Sequence, residues 1–234
     1  MTTLQILSDL HLEMIKTYDF EVKSPNLALL GDIGYPFEES YQKFIQIQSE
    51  RYERVFVIAG NHEFYHQEYY SVLKQIEKVC SEMKKKNVYF LNQGCYQLGK
   101  TKLIGVTLWS RIDDLQIGSM FRDYKVIHKN DKLLTVQDTN QFHQQDLNFV
   151  KEEILKSKEN KENVVLLSHH APYDKGTSDP QYELPDRIFN QFFTTNLSYL
   201  FAWPLKTAVF GHTHYRCDFK KGDVRLVTNA LGYK

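Results

Sequence analysis

Aspartate and histidine recur in this 234-residue chain in short clusters whose spacing could hold metal ions. Asp9 and His11 stand two apart, as do His212 and His214; Asp32 sits in Gly31-Asp32-Ile33-Gly34, Asn61 precedes His62, and His169 precedes His170. In extended backbone, residues two apart project to the same side, so each such pair can reach one ion. Asp9, His11, Asp32, Asn61, His169, His212 and His214 offer carboxylate, amide and imidazole donors without a thiolate. That set suits manganese, iron, zinc or nickel better than copper(I) or a structural zinc site. Seven ligands are too many for one ion of these metals and fit two ions that share a carboxylate. Neighbouring residues on a strand face opposite ways, so only one of His169 and His170 meets a shared ion easily; His169 is assigned and His170 is the alternative. Taken singly, each cluster has a plainer reading, a turn or cap aspartate beside a surface histidine. Their common position in the chain separates the two readings.

Each cluster follows an apolar run. Residues 3–7, Asn26–Leu30, Arg54–Ile58, Asn163–Ser168 and 207–210 read as buried strands, and each ends directly in one of these groups. Random placement would not put Asp, Asn and His after strand upon strand. In α/β sheets the carboxyl ends of the strands are where ligands bind. Gly60 before Asn61 provides either an unusual backbone angle or a close approach. Helical spacing appears over 37–51 (Tyr41, Phe44, Ile45, Gln48) and over 67–86 (Tyr70, Leu73, Ile76, Glu77, Cys80). It returns over 138–158 (Phe142, Leu147, Val150, Ile154, Leu155) and in an aromatic segment over 187–201. His143 on the third helix reads as a surface or packing histidine, and Lys84-Lys85-Lys86 as a solvated helix end. Short strands are expected over 88–91 and 94–99, with a hairpin or bend at Asn92-Gln93-Gly94, then over 103–109, 215–219 and 224–227. The long segment 113–134 reads as a flap and 173–186 as a rim. Arg111, Arg122 and Asp123 are candidates for the substrate side, with surface ion pairing as the plainer reading. Alternating strands and helices predict an α/β fold, largely parallel in its first half and richer in hairpins in its second.

Five blocks together resemble a known family: Asp9-Leu-His11, Gly31-Asp32, Gly60-Asn61-His62-Glu63, Ser168-His169-His170 and Gly211-His212-Thr-His214. In this order they are similar to the ordered motifs of the calcineurin-like metallophosphoesterase superfamily, over nearly the whole chain, from about Leu4 to Gly232. The C-terminal Asn229-Ala230-Leu231-Gly232-Tyr233 is similar to a family ending that often has proline after the asparagine; Ala230 departs from it, a difference expected to touch packing and not chemistry. The resemblance implies a four-layer αββα sandwich, two mixed β-sheets flanked by helices, in one domain spanning 1–234. It also implies a dinuclear centre. Asp9, His11, Asp32 and His214 would hold one ion, and Asp32, Asn61, His169 and His212 the other. Asp32 is then the bridge and, with His62, a catalytic residue; Asn61 and His170 are placed on the substrate. The expected reaction is hydrolysis of a phosphomonoester or small phosphodiester by a hydroxide bridging the ions, with His62 as general acid.

Bulk properties narrow the partners. Lys+Arg and Asp+Glu both number 29, so the net charge gives no electrostatic case for nucleic acid or an anionic membrane surface. No apolar run approaches the roughly 20 residues that span a bilayer. Three widely spaced cysteines, Cys80, Cys95 and Cys217, fit reduced thiols in a cytoplasmic protein better than a disulfide framework. A nuclease or cyclic-nucleotide phosphodiesterase is one alternative, and the neutral charge and short chain speak against the nuclease. A non-catalytic scaffold is the other, and the complete set of seven ligands speaks against it.

Overall fold

The computed structural model describes residues 3–183 and 187–233. In its first half, β1 (Gln5–Leu7) leads to a one-turn helix α1 (Leu12–Ile15), then β2 (Asn26–Leu30), α2 (Glu39–Arg51), β3 (Arg54–Ile58), α3 (Tyr69–Ser81) and β4 (Val88–Phe90). The four strands form one sheet in the order β1-β2-β3-β4, parallel throughout. The second half supplies β5 (Gly94–Leu98), β6 (Thr101–Val106), α4 (Asp123–Val126), the ribbon β7 (His128–Lys129) and β8 (Lys132–Leu133), and the long α5 (Val136–Glu159). It continues with β9 (Asn163–Ser168), β10 (Leu205–Phe210), β11 (Asp218–Lys221) and β12 (Val224–Thr228). The second sheet runs β11-β12-β10-β9-β6-β5, antiparallel at its two outer pairs and parallel between them.

Side-chain alternation builds the four layers. On β2 and β3, Leu27, Leu29, Val55 and Val57 pack outward against Tyr41, Ile45, Val72 and Ile76 of the helices. The intervening Ala28, Leu30, Phe56 and Ile58 meet Leu103, Leu167 and Val209 of the other sheet. On that sheet's far side, Ile104, Val164 and Leu166 pack with Leu147 and Val150 of α5. Strands covered on both faces read as unbroken apolar runs, which is why β2, β3 and β9 stand out in the sequence.

Several local expectations change. The segment after β4 is a bend and no hairpin, because β4 pairs with β3 while β5 pairs with β6: the chain crosses there between sheets. Leu91 at this crossing packs between the sheets. The buried stripe of α3 is Tyr69, Val72, Ile76, Val79 and Cys80, one residue out of phase with the expected stripe at Tyr70 and Leu73. Tyr69 is drawn inward by stacking between Phe64 and Phe142, at ring distances of 4.5 and 4.3 Å, and leaves Tyr70 exposed. Residues 113–134 are more ordered than a flap: Ile112, Ile117, Val136 and Phe192 form a small core beneath them. The aromatic segment expected to be one helix is two short 3₁₀ turns, Arg187–Phe192 and Ser198–Leu200. The strand expected over 215–219 starts at Asp218. Residues 184–186 of the expected rim lie outside the described residues. His143 is a packing histidine, its Nδ1 donating to the Trp109 carbonyl at 2.6 Å.

Asp146 on α5 is buried. It accepts from the Leu108 amide at 2.8 Å and from Gln93 Nε2 at 3.0 Å, and so pins Leu108 at a left-handed φ of 55°. Burial pushes its carboxyl up from 3.8 to about 6. A folded pKa above the unfolded one means that ionisation costs stability, with the cost growing from about pH 4 and complete above pH 6. Asp146→Asn keeps an acceptor for Leu108, and Gln93 can flip its amide to match. The variant should be more stable than the parent by about 1–3 kcal/mol at pH 7, with the difference vanishing near pH 4. Thermal unfolding of both chains across pH 4–8 checks this.

Candidate metal centre

Seven side chains converge at the carboxyl ends of β1, β2, β3, β9 and β10. His169 Nε2 lies 3.1 Å from Asn61 Oδ1, 3.2 Å from His212 Nδ1 and 3.4 Å from Asp32 Oδ1. His214 Nε2 lies 3.2 Å from His11 Nε2 and 3.4 Å from Asp9 Oδ1. Potential ligand atoms thus gather as Asp9-His11-His214 and as Asp32-His169-His212, with an overlapping group His11-Asp32-His62 between them. All seven expected ligands are brought together. The backbone that does so is different from the expected one. Asp9, His11, Asp32, His212 and His214 have φ of 57°, 51°, 53°, 66° and 51°, in the left-handed region and not the extended one. Side chains two apart therefore share a target because the chain coils tightly after each strand. Such backbone is uncommon for non-glycine residues and clusters at functional sites. Glycines make room: a Cβ on Gly31 would strike His169 Nδ1, and one on Gly60 would strike Asp32 Oδ1. Gly60 thus serves close approach.

Atoms on the far side of the rings fix which nitrogen faces the centre. His169 Nδ1 donates to the Leu30 carbonyl at 2.8 Å, His212 Nε2 to the Phe192 carbonyl at 3.1 Å, and His11 Nδ1 to Glu13 Oε1 at 3.0 Å. With that outer nitrogen donating, a ring in its neutral form turns a lone pair inward, the arrangement of a metal-bound histidine held by an outer partner. With neither a proton nor a cation between them, acceptor atoms 3.1–3.4 Å apart would repel one another. About 2.1 Å from a shared cation, the same atoms would sit at roughly 3.0–3.4 Å spacings, the edges of an octahedron or a tetrahedron. The residues present therefore fit divalent ions.

The electrostatics agree. Burial, with His169 adding to it, pushes His212 down to about 3, so it is a neutral ring. Burial opposes charge on Asp32, yet the facing His169 and His62 hold its carboxyl well below the usual range. On His169, burial is outweighed by the Asp32 and Asp9 carboxylates, which push it up to about 9. A cation would compete with that proton for the same negative charge.

Around this centre lie Glu13, Glu63 and Tyr233, to which the sequence reading gave no role, and Asp123, which it placed on the substrate side. Glu13, partly buried, accepts from His11 Nδ1 and faces His62 Nδ1, each at 3.0 Å, and the two hydrogen bonds outweigh burial to bring it down to about 2. Glu63 receives the backbone amides of Gly60, Asp32 and Ile33 at 2.7, 2.9 and 2.8 Å, and so ties the turn after β2 to the turn after β3. Asp123 accepts from Asn61 Nδ2 at 2.8 Å, which leaves the Asn61 oxygen pointing at His169. The Tyr233 hydroxyl lies 3.2 Å from His62 Nε2. Glu13 carried a signal, two residues beyond His11 in Asp-x-His-x-Glu, and Tyr233 ends the C-terminal block. Glu63 closes the Gly60-Asn61-His62-Glu63 block, but its type alone does not reveal a backbone clamp.

A cleft of about 440 Å³ opens over the centre, walled by Tyr65, Phe121, Phe193, Tyr215 and Tyr233, with Arg122 on its side. Arg122 lies 5.6 Å over the Tyr65 ring. Of the three substrate-side candidates, Arg122 and Asp123 line the cleft, whereas Arg111 is exposed elsewhere and pairs with Asp113 at 2.9 Å. The expectation that His170 contacts substrate is not met by its placement. It is 2% exposed and packs behind the centre, with ring distances of 5.2 Å to Trp109 and 4.1 Å to His212. The turn after β9 sends His169 to the centre and His170 inward.

Residues 3–216 match a family model described as calcineurin-like phosphoesterase. The chain is 34% identical over 265 residues to protein L509 of Acanthamoeba polyphaga mimivirus, a match that covers all of this chain and 92% of that one. Among solved structures, phosphopantetheinyl hydrolase from Mycobacterium tuberculosis is similar with a TM-score of 0.73 at 16% identity, over 99% of this chain and 90% of that one. A dimetal phosphatase from Danio rerio is similar with a TM-score of 0.56 at 14% identity, over 97% and 86% of the two chains. At these identities the structural likeness is one of fold.

Proposed function

The chain belongs to the calcineurin-like phosphoesterase family, and on that premise we propose that it hydrolyses a small phosphate monoester or diester at a centre of two metal ions. The observation that carries this reading is the pair of ligand groups Asp9-His11-His214 and Asp32-His169-His212, linked by the group His11-Asp32-His62. Asp9, His11, Asp32 and His214 would hold one ion, and Asp32, Asn61, His169 and His212 the other. Manganese, iron, zinc or nickel bound there would supply Lewis acidity to the phosphoryl oxygens and to water.

The chain's own groups do the rest. Asp123 and the shared hydrogen bonds of His169 keep the ligands oriented. Arg122 is the only lysine or arginine among the described cleft residues, and suits a phosphoryl oxygen or a second anion on the substrate. One such cation beside the carboxylates of Asp123 and Asp179 fits a small ester better than a polynucleotide. The aromatic wall takes the organic part of the ester. His62 supplies the proton that the leaving oxygen requires. Burial opposes a positive charge on it, but Asp32 and Glu13 outweigh burial and raise its pKa.

The test combines elemental analysis of the purified protein with a panel of phosphomonoesters and diesters assayed with and without added manganese. Two ions per chain and metal-dependent hydrolysis are expected. His62→Ala should lower the rate by about 10²–10⁴-fold with metal content unchanged. Fully loaded protein that cleaves no ester would overturn the proposal, and loss of metal with normal turnover on reconstitution would overturn the role of His62.

A further inference from the structure

Both ring nitrogens of His62 are engaged: Nδ1 faces Glu13 Oε1 at 3.0 Å, and Nε2 faces the Tyr233 hydroxyl at 3.2 Å. A donor to a leaving group must come within hydrogen-bond reach of the ester oxygen. At His62 that place is held by a phenol oxygen. The phenol is seated by the backbone. The amides of Leu231 and Gly232 donate to the carbonyls of Ser8 and Asp9 at 3.0 and 3.1 Å, which lays the C-terminal segment along the end of β1. Its ring packs on His11 and His214, with centroids 4.5 and 4.6 Å away, yet Tyr233 remains 58% exposed and forms part of the cleft wall. A phenol carries its proton at neutral pH, so the hydroxyl can donate.

We propose that the Tyr233 hydroxyl is the group that meets the departing ester oxygen, with His62 as the proton source behind it. This rests on the phosphoesterase reading. With Nδ1–H donated to Glu13, an imidazolium at His62 donates Nε2–H to the phenol oxygen and leaves the phenol O–H free to point into the cleft. As a water oxygen forms its bond to phosphorus and the P–O bond to the ester oxygen breaks, the electron pair of the broken bond goes to the ester oxygen. That oxygen takes the phenol proton, and the phenol oxygen takes the Nε2 proton. The alcohol gains one proton, His62 ends neutral, and Tyr233 ends as it began. Such a relay matters for alkyl esters, whose leaving oxygens are strongly basic, and little for p-nitrophenyl esters, whose leaving group departs as a stable anion.

The experiment uses the full chain loaded with manganese, as wild type, Tyr233→Phe, His62→Ala and the double variant. Each is assayed on glycerol phosphate and p-nitrophenyl phosphate and on a matched pair of diesters. Tyr233→Phe should bind the same metal and lower kcat on the alkyl ester by about 10²–10⁴-fold, as His62→Ala does, with the double variant no slower than either. On the aryl ester, whose leaving oxygen needs less protonation, both single variants should lose less than they do on the alkyl ester. In zinc-loaded protein, the ¹⁵N resonance of His62 Nε2 should move in Tyr233→Phe while Nδ1 stays in place. A wild-type rate for Tyr233→Phe on the alkyl ester, or losses that multiply in the double variant, would overturn the relay. A wild type inactive on every ester would overturn the phosphoesterase reading and the relay with it; an unmoved Nε2 resonance would overturn the contact and the relay that runs through it, and leave the phosphoesterase reading standing.

Discussion

An Asp32→Ala chain is expected to lose hydrolysis more completely than His62→Ala does, and to lose the stabilisation that metal confers. Asp32 belongs to two of the three ligand groups, the only carboxylate among the described residues to do so. Its Oδ1 also accepts the His62 amide at 2.8 Å, so the side chain shapes the turn after β3. An outer partner of a metal ligand is worth about 10–100-fold in affinity. On the proposed two-ion reading Asp32 is shared by both ions, so its loss acts on each of them and costs more than that. The metal-free fold should weaken as well. Asp32 is 1% exposed and burial opposes its charge, yet the facing His169 and His62 hold its carboxyl well below the usual range. A carboxyl depressed in the folded chain contributes stability at neutral pH that its removal forfeits, and the His62 amide loses its acceptor. Metal-free Asp32→Ala should therefore melt below the wild-type temperature. The wild type should gain about 2.7 kcal/mol at a manganese concentration 100 times its Kd, and the variant close to none. Thermal unfolding of both chains with and without manganese separates these outcomes. An undiminished manganese shift in Asp32→Ala would remove Asp32 from the centre.

The ligand side chains were legible because each ends a strand buried on both faces, and such strands announce themselves as runs such as Leu27-Ala28-Leu29-Leu30. The backbone that aims them was not. Alternation along a strand suggested an extended Asp9-Leu10-His11, whereas both outer residues are left-handed. Leu10 and Leu12 are buried at 1% and 0%, and the amides of Asp9 and His11 donate to the carbonyls of Gly31 and Asp32. Those long-range pairings set the turn, and spacing alone does not reveal them. The same holds for the residues around the centre. Glu13 reaches His62 across 49 positions and Tyr233 across 171, so neither partnership leaves a local pattern. His170 shows the limit from the other side. Its type and its neighbour marked it for the site, and one peptide unit of turn sent it into the core beside Trp109.

Glu63→Ala should be the most destabilising single change near the centre, at about 3–5 kcal/mol, although Glu63 touches no ligand side chain. Its carboxylate is 1% exposed and accepts three backbone amides at 2.7–2.9 Å, from Gly60, Asp32 and Ile33. Each of these donors lies where a strand has ended and no neighbouring strand can take the hydrogen bond. A buried donor left unpaired costs about 1–3 kcal/mol. Three unpaired donors would cost still more if none recovered, but water entering the space of the lost side chain satisfies some of them. Glu63→Gln should recover little, because one of its two positions becomes an NH2 group that faces an amide donor. The loss should also reach the metal, because these amides hold the turns that carry Asp32 and Asn61. Urea unfolding of metal-free protein reads the stability term, and manganese titration under folding conditions reads the second. A Glu63→Ala chain within about 1 kcal/mol of wild type would show that the turns after β2 and β3 stand without the carboxylate, and that the ligands are held by the strands alone.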